Sequence, residues 1–459
     1  IIHSEKTAER TVSIPPDLAT CPDCVAEIFD PTNRRYRYAF TNCTNCGPRF
    51  TIATDIPYDR AATTMRPFVM CADCQREYDT VADRRFHAQP NACPVCGPRL
   101  SLQIGHDGLA VADPIATAAQ ALCAGLIVAV KGLGGIHLAC DATNADAVAT
   151  LRQRKHRDEK PLAVMVRDLE MAAALADLGP LERQLLASPE RPIVLVAKRR
   201  VAGEGAGLTL APQVAPRNRM VGLFLPYTPL HHLLLADAGC PLVMTSGNLS
   251  EEPMAVTNDD AVTRLSSIAD LFLLHNRDIQ ARCDDSVTTV IDGHPVALRR
   301  ARGAVPQAIA LRRHVAAPVL ACGALLKNTF CVANGPAAWL GPHMGDLENL
   351  DTFDAYTESI ARFERFLEVT PALIAHDLHP DYLSTHYARG RGEPTIAVQH
   401  HHAHVVSVMA EHAIAGPVIG LAYDGTGYGT DGSMWGGEVL VADARTFTRA
   451  ATFRPLPLA

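Results

Sequence analysis

The sequence has no long apolar run and no large excess of one charge. No uncharged apolar stretch approaches the roughly 18 residues that a membrane-spanning helix needs, and residues 1–20 lack the basic and apolar segments of a secretory signal. The net charge is −7, and residues 1–100 hold twelve basic and twelve acidic side chains. Balanced charge disfavours broad nucleic-acid binding. We therefore expect a cytoplasmic globular protein with neither a membrane nor a nucleic acid as partner.

The length and composition allow several domains with hydrophobic cores. The chain has 459 residues, of which 48% are hydrophobic, and compact domains usually contain about 50–200 residues. The residue pattern changes twice along the chain. We predict a multidomain fold of mixed α/β and α+β type, with domains over residues 1–108, 109–314 and 315–459.

Cysteine pairs dominate the first predicted domain. Eight of the fourteen cysteines form four Cys-x2-Cys pairs, and the same spacing occurs twice: Cys21/Cys24 with Cys43/Cys46, then Cys71/Cys74 with Cys93/Cys96. In a large chain without a secretory signal, this pattern indicates metal binding and not disulfides. Two pairs complete a tetrahedral Zn²⁺ site that has no open position, so both sites are predicted to be structural. Sequential pairing is favoured because each copy then closes on itself, but an interleaved arrangement is also compatible.

A cationic and aromatic cluster lies within this domain. Arg34, Arg35 and Arg37 alternate with Tyr36 and Tyr38, a combination that can stack nucleic-acid bases. Acidic residues elsewhere in the domain balance the charge. A scaffolding or partner-docking role is therefore favoured over nucleic-acid binding.

The middle of the chain alternates short strands and helices. Runs such as LIVAVKG and PIVLVAK predict strands, NADAVATLRQRKHRD predicts a helix, and their alternation indicates an α/β domain. The basic stretch LRQRKHRDEKPLAVMV is by itself more typical of a solvated helix surface. The motif TSGNLSEEP adds Ser246 and Asn248 after a strand, where α/β sheets bind ligands. The two motifs together favour a ligand site.

These segments, with VKGLGGIHLACDA, resemble the YrdC-like family, whose members bind ATP and make an acyl-adenylate from a carbamoyl donor. The resemblance implies that nucleotide phosphates and the carbamoyl group are held by Lys155, Arg157, Ser246 and Asn248. Basic side chains suit this chemistry, because attack on the α-phosphate spreads negative charge. Further candidates for the same site are Lys131, Lys160 and Arg302.

The third predicted domain begins with a hairpin. PVLACGALLKNTFCVANG predicts two strands joined by a glycine turn that carries Lys327 and Asn328. Such a turn allows a phosphate to approach, although an ordinary hairpin has the same pattern.

A histidine cluster follows in VQHHHAHVVSVMAEH. On a helix, His400 and His404 share one face, so both rings can reach one metal ion, whereas His401 and His402 point elsewhere. Surface histidines would give the same spacing.

The segment IGLAYDGTGYGTDG predicts an apolar strand that ends at Asp424 and enters a glycine turn. Asp424 is the expected third metal ligand, and Gly425, Gly427 and Gly429 would let the backbone approach phosphate. The alternative is a tight turn capped by the aspartate.

This last region resembles the first half of the actin-like ATPase (ASKHA) domain of carbamoyltransferases. The order of the three parts resembles the HypF family of NiFe-hydrogenase maturation. That resemblance implies a carbamoyltransferase that uses carbamoyl phosphate and ATP with Mg²⁺, makes carbamoyl-adenylate, and transfers the carbamoyl group to the C-terminal cysteine of HypE for the cyanide ligands. The implied catalytic residues are Lys155, Arg157, His400, His404 and Asp424, with iron or zinc as the expected metal at the last three.

Two features depart from the family pattern. No acylphosphatase-like domain precedes Cys21, and the actin-like part is expected to continue beyond residue 459. We therefore expect a fragment of a longer protein. The alternatives are a tRNA threonylcarbamoyladenosine-type carbamoyltransferase and a non-catalytic zinc scaffold for a maturation partner.

Overall fold

The computed structural model describes residues 14–199, 207–249 and 252–454. The chain divides into two compact units, Ile1–Pro306 and Gln307–Ala459. The predicted cysteine domain and the predicted α/β domain thus lie in one unit. The boundaries at 108/109 and 314/315 stay predictions.

The cysteine module repeats in three dimensions as well as in sequence. Helices α1 (Pro22–Phe29) and α2 (Ala72–Asp79) each start directly after the first cysteine of a pair. The turn after each helix contains a residue with a left-handed backbone, Arg37 with φ 54° in the first copy and His87 with φ 55° in the second. The two copies therefore fold alike.

A twelve-stranded sheet forms the centre of the first unit, with strand order β12-β11-β7-β8-β5-β9-β4-β3-β10-β1-β2 and β6 paired to β7. The strands are β1 Leu100–Ile104, β2 Asp107–Leu109, β3 Val128–Lys131, β4 Ile136–Asp141, β5 Ala163–Met165, β6 Ala176–Asp177, β7 Ile193–Lys198, β8 Met220–Phe224, β9 Leu242–Ser246, β10 Leu271–His275, β11 Val287–Ile291 and β12 His294–Arg299. The helices are α3 Pro114–Cys123, α4 Ala145–Lys155, α5 Leu169–Leu175, α6 Pro180–Ala187, α7 Pro229–Ala238 and α8 Asn258–Leu265.

Both faces of this sheet are buried. Along β3 and β9, successive residues join different apolar clusters: Ala129 and Val243 pack with one cluster, and Val128 and Leu242 with the other. This alternation follows from the two-residue period of a strand. Helices α4, α5, α6 and α8 contribute to the first cluster, and α1, α3 and α7 to the second.

The cysteine module belongs to the second of these clusters. Ile28, Phe40 and Met65 pack there with residues of the sheet. At the rim, Arg37 forms ion pairs with Asp113 at 2.8 Å and Asp237 at 2.6 Å. The module is therefore part of the core of the first unit.

The described residues of the second unit form two sheets. The first has the order β14-β13-β15-β16, in which β13, β15 and β16 are parallel; its strands are β13 Ile309–Ala321, β14 Cys331–Leu340, β15 Leu373–Asp377 and β16 Thr395–Val398. The second is antiparallel, with β17 Val418–Tyr428, β18 Met434–Ala442 and β19 Phe447–Thr452. The helices are α9 Leu350–Leu367, α10 Leu383–Gly390 and α11 His400–Glu411.

The prediction of a glycine turn directly after Asp424 was wrong. Strand β17 continues through Gly425 and Gly427 to Tyr428, and the chain turns near Gly432, which has φ +77°. The pairing with β18 shifts register between Tyr423 and Gly427, as at a β-bulge. The glycines therefore allow an irregular strand and not a loop.

The predicted mixed α/β class is confirmed, since the first unit combines the cysteine module with a large sheet and its helices, and the second unit combines helices with further sheets. Among the described helices, none is both long enough and apolar enough to cross a membrane.

Candidate active sites and zinc centres

The eight paired cysteines form two clusters. Their Sγ atoms gather in the sequential arrangement, with Cys21, Cys24, Cys43 and Cys46 in one cluster and Cys71, Cys74, Cys93 and Cys96 in the other. Neighbouring Sγ atoms are 3.6–3.8 Å apart. A tetrahedron of thiolates about 2.3 Å from Zn²⁺ has edges of about 3.8 Å. Both clusters therefore fit structural zinc.

The basic stretch and the Ser/Asn motif meet in the α/β part of the first unit. Lys155 is the last residue of α4, and Ser246 ends β9. The Lys155 Nζ donates to the Ser246 carbonyl at 2.8 Å and to Asn248 Oδ1 at 2.7 Å, and it also contacts the Asn248 carbonyl. The Ser246 hydroxyl donates to the same Oδ1 at 2.7 Å. Residues that are far apart in the sequence thus form one polar site.

Burial is the dominant electrostatic influence at this site. It lowers the pKa of Lys155 to about 7, and the nearby charge of Arg157 acts in the same direction. Burial also lowers the pKa of Arg157 to about 10. Arg157 donates to Thr245 Oγ1 at 3.3 Å and to the Pro161 carbonyl at 2.7 Å. Desolvated cations of this kind favour an anionic ligand.

Two further lysines, Lys160 and Lys131, were predicted to belong to this site. Lys160 lies beside it, since its backbone carbonyl accepts a hydrogen bond from Arg157 Nε at 3.2 Å. Lys131 is buried at the end of β3 and donates to Asn258 Oδ1 at 2.7 Å and to the His275 carbonyl at 3.1 Å.

Arg302 is not brought to Lys155. Its guanidinium is buried, pairs with Asp285 at 2.7 Å, donates to two backbone carbonyls, and lies 3.4 Å over the ring of Tyr227. These contacts hold the core together.

Sequence reasoning missed Arg299 and Asp284. Arg299 pairs with Asp284 at 3.4 Å. Burial and the charge of Arg152 are the larger causes that lower the pKa of Arg157. The charge of Arg299 acts in the same direction, and the charge of Asp284 opposes it. The stretch LRRARGAVP contains several arginines, and only the structure shows that Arg299 is the one that pairs with Asp284.

The histidine pair and Asp424 meet in the second unit. His400 Nε2 lies 2.9 Å from Asp424 Oδ2 and 3.2 Å from His404 Nε2, and His404 Nε2 lies 3.3 Å from the same carboxylate oxygen. These three donor atoms lie on α11 and β17. Ligands about 2.1 Å from one metal ion are roughly 3.0–3.4 Å apart, so the residues fit a divalent metal.

Asp377 supports this cluster and was not predicted. It ends β15, is buried, and its Oδ2 lies 2.7 Å from His400 Nδ1. This contact fixes the ring and leaves Nε2 for a metal, as in many metal sites. It is also the main cause that raises the pKa of His400, opposed by burial. An apolar strand ending in aspartate, ALIAHD, was the available signal.

The remaining predicted residues have mixed placements. Asn328 is buried, and its amide donates to the carbonyls of Cys322 and Ala324, so it shapes the turn after β13. Lys327 lies exposed on that turn. Gly425 N donates to Asp424 Oδ1 at 2.6 Å, and Gly427 lies against the rings of the histidine helix.

Family models match consecutive parts of the chain. Residues 20–53 and 70–103 match the HypF finger, and residues 120–301 match the Sua5/YciO/YrdC model described as telomere recombination. Residues 314–411 match the HypF Kae1-like domain, and 420–459 match the second subdomain of a carbamoyltransferase Kae1-like domain.

Named relatives cover nearly the whole chain. Carbamoyltransferase HypF2 of Cupriavidus necator is 52% identical over 99% of this chain and 58% of its own length. Carbamoyltransferase HypF of Synechocystis sp. is 48% identical over 100% and 59%. The chain belongs to the HypF family. It spans a little under two thirds of the length of these HypF relatives.

Solved HypF structures share the fold. The crystal structure of full-length HypF in the phosphate- and nucleotide-bound form superposes with a TM-score of 0.90 at 51% identity, over 95% of this chain and 57% of that one. HypF of T. kodakarensis gives 0.91 at 43% identity, over 96% and 58%.

Proposed function

We propose that this chain carries the carbamoyl-activating site and the carbamoyl-transfer site of a HypF carbamoyltransferase in NiFe-hydrogenase maturation. The observation that carries the proposal is that one chain of this family contains both the buried basic site at Lys155 and Arg157 and the cluster of His400, His404 and Asp424. A nucleotide-bound HypF with the same fold supports ATP as a ligand. A cytoplasmic location stays a prediction from the sequence.

The first step is activation of carbamate. Carbamate comes from carbamoyl phosphate, whose hydrolysis we assign to the acylphosphatase-like domain of the family. A carboxylate oxygen of carbamate attacks the α-phosphorus of ATP, the P–O bond to the β-phosphate breaks, and pyrophosphate leaves with Mg²⁺. Lys155 and Arg157 stabilise the charge that spreads over the phosphate oxygens. Lys155 is buried and Arg157 is half-buried, which strengthens this interaction. The hydrogen bond from the Ser246 hydroxyl to Asn248 holds the chain that follows β9.

The second step is transfer to a thiolate, which we assign to the C-terminal cysteine of the partner HypE. The sulfur forms a bond to the carbamoyl carbon, the C–O bond to AMP breaks, and AMP takes the electron pair. His400, His404 and Asp424 would hold iron or zinc, which supplies Lewis acidity when bound. Asp377 keeps the His400 ring in the required orientation.

The proposal is tested by exchange of labelled pyrophosphate into ATP, with carbamate supplied from an ammonium carbamate solution. We expect carbamate-dependent exchange by the chain. Arg157→Met should lower it by about 10²-fold or more, since it removes a charge at the reacting phosphate. His404→Ala should leave the exchange intact because it alters only the second site. Arg217→Met, at an exposed arginine, is the matched charge control.

Three results would overturn the proposal. Pyrophosphate exchange that persists in Arg157→Met would show that the basic site does not take part in the reaction. Exchange that requires threonine would indicate the tRNA-modifying alternative. Zinc binding with no nucleotide-dependent heat in calorimetry would indicate a scaffold.

A further inference from the structure

The two copies of the cysteine module exchange arginine pairs. In the first copy Arg34 and Arg35 follow α1, and in the second copy Arg84 and Arg85 follow α2 at the equivalent positions. Each pair crosses to the glutamate on the helix of the other copy. Arg35 pairs with Glu77 at 2.6 Å, and Arg85 pairs with Glu27.

The crossing arginines also reach the zinc ligands of the other copy. Arg84 Nη1 donates to Cys24 Sγ at 3.0 Å, and Arg34 Nη2 donates to Cys74 Sγ at 3.3 Å. The second arginine of each pair is buried and donates through Nε to a carbonyl just before a ligand knuckle: Arg35 to Ala92 at 2.9 Å, and Arg85 to Asn42 at 3.1 Å. These contacts to a glutamate, a ligand sulfur and a backbone carbonyl are therefore made in both directions between the copies.

These contacts bear on metal binding because four thiolates around Zn²⁺ carry a net charge of −2. A guanidinium that donates to a coordinated sulfur neutralises part of that charge and orients the ligand. Removing it leaves the thiolate without its cation in a partly buried place, which is costly, whereas the glutamate keeps the second arginine of the pair. Each zinc site thus depends on side chains from the other copy.

Chain connectivity makes this dependence mutual. Arg84 lies between Cys74 and Cys93, so both ends of its segment are tied to the second zinc site. When that ion leaves, the segment loses both anchors, and Arg84 loses its position at Cys24. The same reasoning applies to Arg34, which lies between Cys24 and Cys43.

We propose that the two zinc sites form one reciprocal unit, in which the arginine pair of each copy holds the thiolates of the other copy and the two ions bind and leave together. This proposal concerns the cysteine module alone and is independent of the carbamoyl-transfer chemistry.

The first test locates the effect of one arginine. We expect Arg84→Ala to weaken zinc binding about 10–100-fold at Cys21, Cys24, Cys43 and Cys46, although Arg84 belongs to the second copy. Zinc is removed with a chromophoric chelator, and alkylation of each cysteine is followed by peptide mass spectrometry. The control is Arg76→Ala on α2, because Arg76 is exposed and pairs only locally with Asp73. Arg84→Lys keeps the charge and should restore part of the affinity.

Alkylation that begins at Cys71, Cys74, Cys93 and Cys96 in Arg84→Ala would show a purely local role and would overturn the proposal. The proposal would also be overturned if Arg84→Ala and Arg76→Ala lost zinc from Cys21, Cys24, Cys43 and Cys46 equally easily.

The second test needs no change in the module. Native mass spectrometry follows zinc removal from the His404→Ala chain, which lacks the third metal cluster. We expect two-zinc and zinc-free molecules to dominate at the midpoint. Two independent sites of equal affinity would instead give about half of the molecules with one ion. A one-zinc population at or above that level would contradict the proposal.

Discussion

Lys155 is a cation whose charge depends on its surroundings. Burial lowers its pKa to about 7, so the free site loses this charge as the pH rises above neutrality. A bound polyphosphate would favour the protonated amine and raise the pKa. Between pH 7.5 and 9 the nucleotide phosphates no longer titrate. We therefore predict that ATP binding takes up a proton there and weakens by up to about tenfold per pH unit.

Calorimetry in two buffers of different ionisation enthalpy measures this proton uptake. The control is Lys155→Arg, which stays charged throughout and should bind without uptake from this position. Equal uptake by the wild type and Lys155→Arg would place the proton elsewhere, for example on Lys131, whose pKa burial lowers to about 8.

At the scale of elements, the packing of α11 against β17 decides whether the histidine cluster forms. A Cβ added at Gly427 would lie 2.5 Å from His401 Cε1 and 3.0 Å from His400 Cβ, whereas one at Gly425 would meet nothing within 4 Å. We predict that Gly427→Ala destabilises the second unit by about 1–3 kcal/mol and weakens metal binding at His400. Gly425→Ala should stay within about 0.5 kcal/mol of the wild type.

Urea unfolding followed by tryptophan fluorescence tests this pair of variants. Both tryptophans of the chain, Trp339 and Trp435, lie in the second unit, so the signal reports that unit. Equal midpoints for Gly427→Ala and Gly425→Ala would show that α11 can move away from β17 at no cost.

At the scale of the whole molecule, the zinc module is part of a larger core. Ile28, Phe40 and Met65 pack in the same cluster as Val128 of β3 and Leu273 of β10. Structural zinc contributes directly to the folding free energy of such modules. We predict that removing both zinc ions speeds hydrogen exchange of the β3 and β10 amides at least tenfold, which corresponds to about 1.4 kcal/mol.

Hydrogen exchange with mass spectrometry measures this effect, with α9 of the second unit as the internal control. Unchanged protection of β3 and β10 after complete zinc loss would show that the sheet is stable without the module.

Local sequence patterns were sufficient to predict helices and strands, and to predict metal ligands that lie close together in the sequence. The strand pattern around Val128 and Val194, the repeated cysteine pairs, and the four-residue spacing of His400 and His404 all predicted what the structure shows. These features depend on the period of a strand or helix and on short-range turns.

Side-chain contacts between residues of distant segments could not be predicted from such local patterns. Asp377 and His400 meet because parallel strands β15 and β16 end at the same edge of a sheet. Likewise, Arg299 pairs with Asp284 and the buried Arg302 pairs with Asp285, and the arginine-rich sequence does not show which partner each side chain meets.

The family, the order of its parts and the zinc ligands could be inferred from the amino-acid sequence, because each depends on a contiguous motif. The sequential grouping of the cysteines, the contact of Asp377 with His400 and the crossing of Arg34 and Arg84 between copies became visible in the three-dimensional structure. Such contacts join residues from distant segments, and their geometry exists only once the core has brought those segments together.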